Sequence, residues 1–264
     1  MKKLLMIIPL IILLCFVVSL CASTTLAQAE EQKAKSYVVI EFVLKPEKVA
    51  DFEASWKEGI DECKRQNYYL PIYAYLMDDF HFYAFYPMPL YSGIDDFFNA
   101  YAEFAKKMGM EKLQKIHERE YASIDYYKMF LIRYRANLSY APESPRLKQE
   151  EANFMNWPFC YVQPGKEIEF EKMCKEWVDL DKSVNKPDGW DTYIGDIGTD
   201  MPFYFWIARA KSAADFWSQD EKYVEKVGEE KIMKLWSKTI ALLRKFEYKT
   251  GWFRPDLSYI PKEK

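Results

Sequence analysis

Two hydrophobic periods alternate along this chain. Ser36 to Leu44 (SYVVIEFVL) is rich in β-branched and aromatic residues and stops at Lys45-Pro46, which predicts a strand and then a helix with proline in its first turn. That helix runs to about Gln66, because Val49, Phe52, Trp56, Ile60 and Cys63 keep the three-and-four spacing of one buried stripe. Leu70 to Met77 and Phe80 to Tyr86 flank Asp78-Asp79, the pattern of a two-stranded hairpin, with Pro87 and Pro89 as its end. Helical spacing returns at Gly93 through Ile94, Phe97, Phe98, Tyr101, Phe104 and Met108, weakens at Gly109, and resumes at Leu113, Ile116 and Tyr121. Tyr127 to Tyr134 predicts a fourth strand, so the order is βαββαβ.

The same order then recurs. It reads as a strand at Phe154 to Val162, a helix at Gly165 to Val184, strands at Trp190 to Asp196 and Pro202 to Ala210, a helix from Ala213 weakened at Gly228, and a strand near Tyr248 to Arg254. Residue identities return with it. Arg135, Leu138, Ser139, Tyr140 and Pro142 come back at one constant spacing as Arg254, Leu257, Ser258, Tyr259 and Pro261. Asp96-Phe97 maps onto Asp215-Phe216, Gly109 onto Gly228 and Lys112 onto Lys231, while Pro46, Phe52 and Lys57 fall on Pro164, Phe170 and Lys175 with a one-residue slip. The expectation is a tandem duplication, with one repeat over 36–142 and a second over 153–261.

The hairpin strands add a constraint. Phe82, Ala84 and Tyr86 alternate with His81, Tyr83 and Phe85, and Phe203, Phe205 and Ile207 alternate with Tyr204, Trp206 and Ala208, so neither face is polar. An antiparallel sheet with helices on one side is normally polar on the other, and apolar character on both faces means that the second face is covered too. The predicted class is therefore α+β: two ferredoxin-like units whose antiparallel sheets pack face to face as an α/β barrel. In order, length and duplication, residues 36 to 259 resemble the dimeric α/β-barrel superfamily. That group holds cofactor-free monooxygenases, muconolactone-isomerase-like proteins, haem-degrading enzymes and chlorite-dismutase-like haem proteins, so the resemblance implies a fold and transfers no activity.

The first residues follow a different plan. Lys2-Lys3, an apolar run from Leu4 to Val18 and the small-residue end Ala27-Gln28-Ala29 have the three parts of a secretory signal peptide, and predict export to the periplasm or exterior with cleavage after Ala29. The run from Leu4 to Ala22 also approaches the roughly 20 residues that span a bilayer, but the cleavage signal favours removal over an anchor. Bulky Leu20 argues against lipid attachment at Cys21. The whole chain has 37 basic and 40 acidic residues, and loss of Lys2 and Lys3 leaves it more acidic still, which excludes nucleic acid as a natural partner. Cys63, Cys160 and Cys174 remain after cleavage; they read as buried small hydrophobes, with a Cys160 to Cys174 bridge as the alternative. Two histidines and no Cys/His cluster give no zinc or copper site, and no cofactor is expected.

The space between the sheets is the default pocket, walled by Tyr73, Tyr75, Tyr83, Tyr193, Tyr204 and Trp206 or by their neighbours of opposite parity, and it would suit a small, flat apolar or aromatic molecule. The same rings equally suit a packed barrel core, the commoner use of aromatics in strands. His81 is the candidate catalytic base, at the start of a hairpin strand where it reaches a barrel mouth, although Asp78 and Asp79 also fit an ordinary exposed turn. His117 aligns with Trp236, which points to packing against the sheet rather than to a haem ligand. The recurrent Arg135 and Arg254 are expected to pin each tail through backbone carbonyls or a carboxylate. Three functions remain open: a small-molecule binding protein, a cofactor-independent monooxygenase-like enzyme, and a structural or assembly protein.

Overall fold

The computed structural model describes residues 36–89 and 91–261; the predicted signal segment lies outside them. In the N-terminal half, β1 (Ser36–Leu44) leads to α1 (Val49–Gln66), the hairpin β2 (Tyr73–Met77) and β3 (His81–Met88), then α2 (Gly93–Met108), α3 (Met110–Ala122) and β4 (Ile124–Tyr134). The C-terminal half has β5 (Phe154–Val162), α4 (Glu167–Ser183), β6 (Trp190–Gly195), β7 (Phe203–Ala210), α5 (Ala213–Val227), α6 (Glu229–Ala241) and β8 (Leu243–Phe253). The weak points at Gly109 and Gly228 are full breaks. Both glycines have φ near +90°, which a residue with a Cβ adopts only under strain, so each predicted helix becomes two. Strand β3 runs through Pro87, where its β2 neighbour has already ended opposite Phe85 and a missing N–H is tolerated. The last strands begin earlier than their apolar runs, at Ile124 and Leu243.

All eight strands form one closed antiparallel barrel in the order β1-β3-β2-β8-β5-β7-β6-β4. Each half contributes its strands in the same internal order, β4-β1-β3-β2 and β8-β5-β7-β6, the ferredoxin-like arrangement. Rather than stacking as two layers, the sheets are joined by backbone ladders at both seams. Tyr75, Leu76 and Met77 pair with Phe253, Trp252 and Gly251, and Ile132, Arg133 and Tyr134 pair with Gly195, Ile194 and Tyr193. A Cβ on Gly251 would collide with the Leu76 carbonyl and the Met77 backbone, so glycine is what lets the first seam close. Closure removes all edges and turns one apolar face inward. The opposite face carries the helices.

The recurrent tails fix this arrangement by crossing over. Arg135 holds Glu171 of α4 through two bonds of 2.9 Å, and Arg254 holds Glu53 of α1, so each arginine clamps a helix of the other half. Ser139 Oγ accepts from the Thr192 amide (2.8 Å) and Ser258 Oγ from the Ala74 amide (2.9 Å), while the Tyr140 and Tyr259 hydroxyls donate to the Lys186 and Tyr68 carbonyls. Leu138 and Leu257 are buried beneath them. Cys63, Cys160 and Cys174 are all free and buried.

Candidate functional site

The barrel interior is filled with rings. Trp157 is fully buried at its centre, 5.1 Å from Tyr75, 5.2 Å from Tyr83, 5.6 Å from Phe85 and 5.9 Å from Phe205, centroid to centroid. These are the separations of tilted and edge-on packing, the arrangement of a core. Tyr73, Tyr75, Tyr83 and Tyr193 face this interior. Tyr204 and Trp206 do not join them, because strand alternation sends their side chains to the helical side, where Tyr204 packs 4.9 Å from Phe170. The six predicted lining residues thus belong to two separate layers.

His81 lies at one end of the barrel rather than on an outer turn. Its Nδ1 is 3.1 Å from an Asp79 carboxylate oxygen and its Nε2 is 3.6 Å from Glu41, which accepts a 2.8 Å bond from the Tyr83 hydroxyl. Burial alone would lower the His81 pKa, but the bonded Asp79 outweighs it and holds the imidazole above its ordinary value. Burial would likewise raise Asp79, and bonds from His81 and Lys249 keep it well below the usual carboxylate range. Tyr83 is pushed well above the usual phenol value by burial and then by Glu41. Asp79, His81, Glu41 and Tyr83 form a connected polar chain against a packed aromatic wall.

The cavity is elsewhere. It lies in the C-terminal half between the outer face of the sheet and the helices, encloses about 370 Å³, and has Asn156, Pro158 and Ala208 on its floor. Trp177, Trp190, Trp206 and Trp236 wall it with Phe216 and Tyr223. A small side chain on β7 explains the space: Ala208 leaves room under α5, from which only Tyr223 is buried. Asp181 organises the interior. It is 1 % exposed and accepts from Trp190 Nε1 (2.7 Å) and the Tyr223 hydroxyl (2.6 Å), with Lys186 3.6 Å away. Burial, with the Asp181 charge second, raises the Tyr223 pKa far out of reach. At the rim Arg146 binds Asp215 through two 2.9 Å bonds and Asp188 at 3.1 Å, tying the loop before β5 to the start of α5. Asp220 is held above its ordinary value by burial. Of the predicted lining residues, Trp206 alone reaches this cavity.

No protein-family model and no curated protein matches the chain. Solved structures do. An anthrone oxidase-like protein superposes with a TM-score of 0.56 at 10% identity, covering 85% of this chain and 93% of that one. A candidate monooxygenase from Lactobacillus acidophilus NCFM gives 0.51 at 8% identity, over 86% and 96%. Chlorite dismutase from Candidatus Nitrospira defluvii, solved with imidazole, gives 0.50 at 10% identity, over 87% and 96%. What the chain shares with these proteins is an α/β-barrel fold. Identities this low carry the fold and nothing finer.

Haem, which chlorite-dismutase-like members of the dimeric α/β-barrel superfamily bind, can be tested against the donors present. No histidine, cysteine or methionine lines the cavity, and both histidines lie in the N-terminal half. Tyr223 is the remaining axial donor type, and its hydroxyl is committed to Asp181. The residues do not fit haem.

Proposed function

We propose that this protein binds a small, flat apolar or aromatic molecule in the cavity between β7, α4 and α5. The carrying observation is the four-tryptophan wall around about 370 Å³, a volume within the range of small-molecule pockets. Indole faces favour planar partners through offset and edge-on contacts. Calorimetric titration with 2-naphthol tests this: binding is expected to wild type and lost in Ala208→Phe, which fills the floor. Equal binding to both proteins would place the ligand elsewhere and sink the reading.

A second reading keeps His81 as a base for a cofactor-independent monooxygenase-like reaction. It is favoured by the polar chain from Asp79 through His81 and Glu41 to Tyr83. On anthrone, the base would take an acidic ring C–H proton and dioxygen would oxidise the carbanion, giving anthraquinone and water. Oxygen uptake with anthrone that is lost in His81→Gln supports this reading, and uptake unchanged by the substitution removes it. We further read the chain as an exported tandem duplicate, with units at 36–142 and 153–261 and cleavage after Ala29; N-terminal sequencing of protein from its host tests the cleavage.

A further inference from the structure

We propose that the C-terminal cavity selects an aromatic monoanion with a hydrogen-bonding group at its far end, a hydroxylated aryl carboxylate of naphthoate size. This rests on the small-molecule reading above and adds the polar chemistry of the ligand. Two independent observations carry it.

The first is on the floor. Asn156 is 2 % exposed, and one end of its amide bonds the Tyr248 hydroxyl. The other amide end has no partner among the described residues, and the side chain borders the cavity. Strand pairing sets Asn156 where the N-terminal half has Val38, so the sheet has no structural need for an amide there. That free end is open to the cavity, and a ligand hydroxyl can pair with it whichever amide atom faces it, since a hydroxyl both donates and accepts.

The second is the charge left at the rim. Arg146 is held by Asp188 and Asp215, and Lys186 faces Asp181 while lying 4.4 Å over the Tyr223 ring. With those pairs and the Arg209–Asp191 pair accounted for, Asp220, Lys222 and Lys226 remain among the charged lining residues. Lys226 donates to the Val184 carbonyl, and Lys222 makes no ion pair among the described residues. Lys222 and Lys226 are therefore the lining cations without a carboxylate partner among the described residues. Lys222 and Lys226 stand one turn apart on the same side of α5, where one carboxylate can meet both. The aromatic walls then hold the rings between a hydroxyl on Asn156 and a carboxylate at the lysines.

Calorimetry with three probes, 6-hydroxy-2-naphthoate, 2-naphthoate and 2-naphthol, tests this on the full chain. The hydroxynaphthoate is expected to bind wild type about tenfold more tightly than 2-naphthol, as a charge-assisted contact allows. K222M/K226M should erase that advantage and leave 2-naphthol within about twofold, because the lysine heads act through charge. Asn156→Val, which copies the other half, should weaken the hydroxynaphthoate several-fold and leave 2-naphthoate unchanged. Wild-type affinities that ignore the carboxylate, or a lysine double variant that ignores its loss, overturn the monoanion and leave the cavity reading standing. If the hydroxyl adds nothing to 2-naphthoate on wild type, the Asn156 contact falls without recourse to any variant. Binding of no probe to wild type ends both this inference and the reading beneath it.

Discussion

The helix-to-sheet layers of the two halves occupy matching positions and are packed to different ends. In the N-terminal half Tyr86 meets Phe97 edge-on at 5.0 Å, and Phe104 lies 5.2 Å from Tyr68. Six residues of α2 are buried. In the C-terminal half the strand register sets Ala208 where Tyr86 stands and Trp206 where Ala84 stands. Phe216 replaces Phe97 but is only half-buried, and Asp181 takes the place of Cys63. Large and small residues have been exchanged along one strand, and the exchange moves the volume away from α5. A packed layer becomes a cavity without any change of topology, because interiors are filled to near crystal density and one missing ring has no automatic substitute.

The largest expected effect separates the layers by stability. Phe97→Ala should cost about 3–5 kcal/mol in denaturant unfolding, the range for a phenylalanine removed from a filled core. Phe216→Ala, at the matching position beside existing space, should cost about 1 kcal/mol and act on ligand binding instead. Similar costs would show that the layers are equally packed.

Next in size is a difference in pH response. Glu120 on α3 is buried and burial raises its pKa from an ordinary 4.5 to about 7, whereas the matching Thr239 is satisfied by the Leu235 carbonyl and the Trp177 indole. The folded state therefore binds the proton more tightly than the unfolded chain. Its contribution is complete below about pH 4.5 and lost as pH rises through about 7, a change of about 3 kcal/mol at most. Glu120→Gln should flatten the stability profile across that window. Thr239→Val should leave the profile's shape alone, and a shape unchanged by Glu120→Gln would contradict the burial argument.

The smallest expected change in stability is the most informative for the site. Ala208→Tyr gives the C-terminal half the ring of the N-terminal half, and should alter unfolding free energy by about 1 kcal/mol or less while abolishing aromatic binding. If affinity survives, the cavity is not where the difference between the halves is expressed.

Much of this was legible in residue order. Helical stripes such as Phe52, Trp56, Ile60 and Cys63, and the alternation in β3 and β7, are local consequences of periods 3.6 and 2, so the element order followed from them. The breaks at Gly109 and Gly228 were visible as weak points because glycine alone reaches their backbone angle cheaply. The site was less legible. Tyr204 and Trp206 were grouped with Tyr73, Tyr75, Tyr83 and Tyr193, since parity within a strand says which residues share a face but not which face turns inward. Asn156 and Asp181 were missed. A single amide among the rings of β5 was the signal that could have raised Asn156, and Asp181 has meaning only through Trp190 and Tyr223, which reach it from other elements.

By itself the chain determined its alternation of strands and helices and the apolar character of both sheet faces, because each depends on neighbours a few residues apart. Tertiary structure decided the closure of the barrel at β2–β8 and β4–β6, the crossing of Arg135 and Arg254 to the opposite half, and the location of the cavity outside the barrel. The physical reason is volume. Whether rings interlock or leave a space depends on which side chains from distant strands and helices compete for the same few ångströms, and that competition exists only once they are brought together.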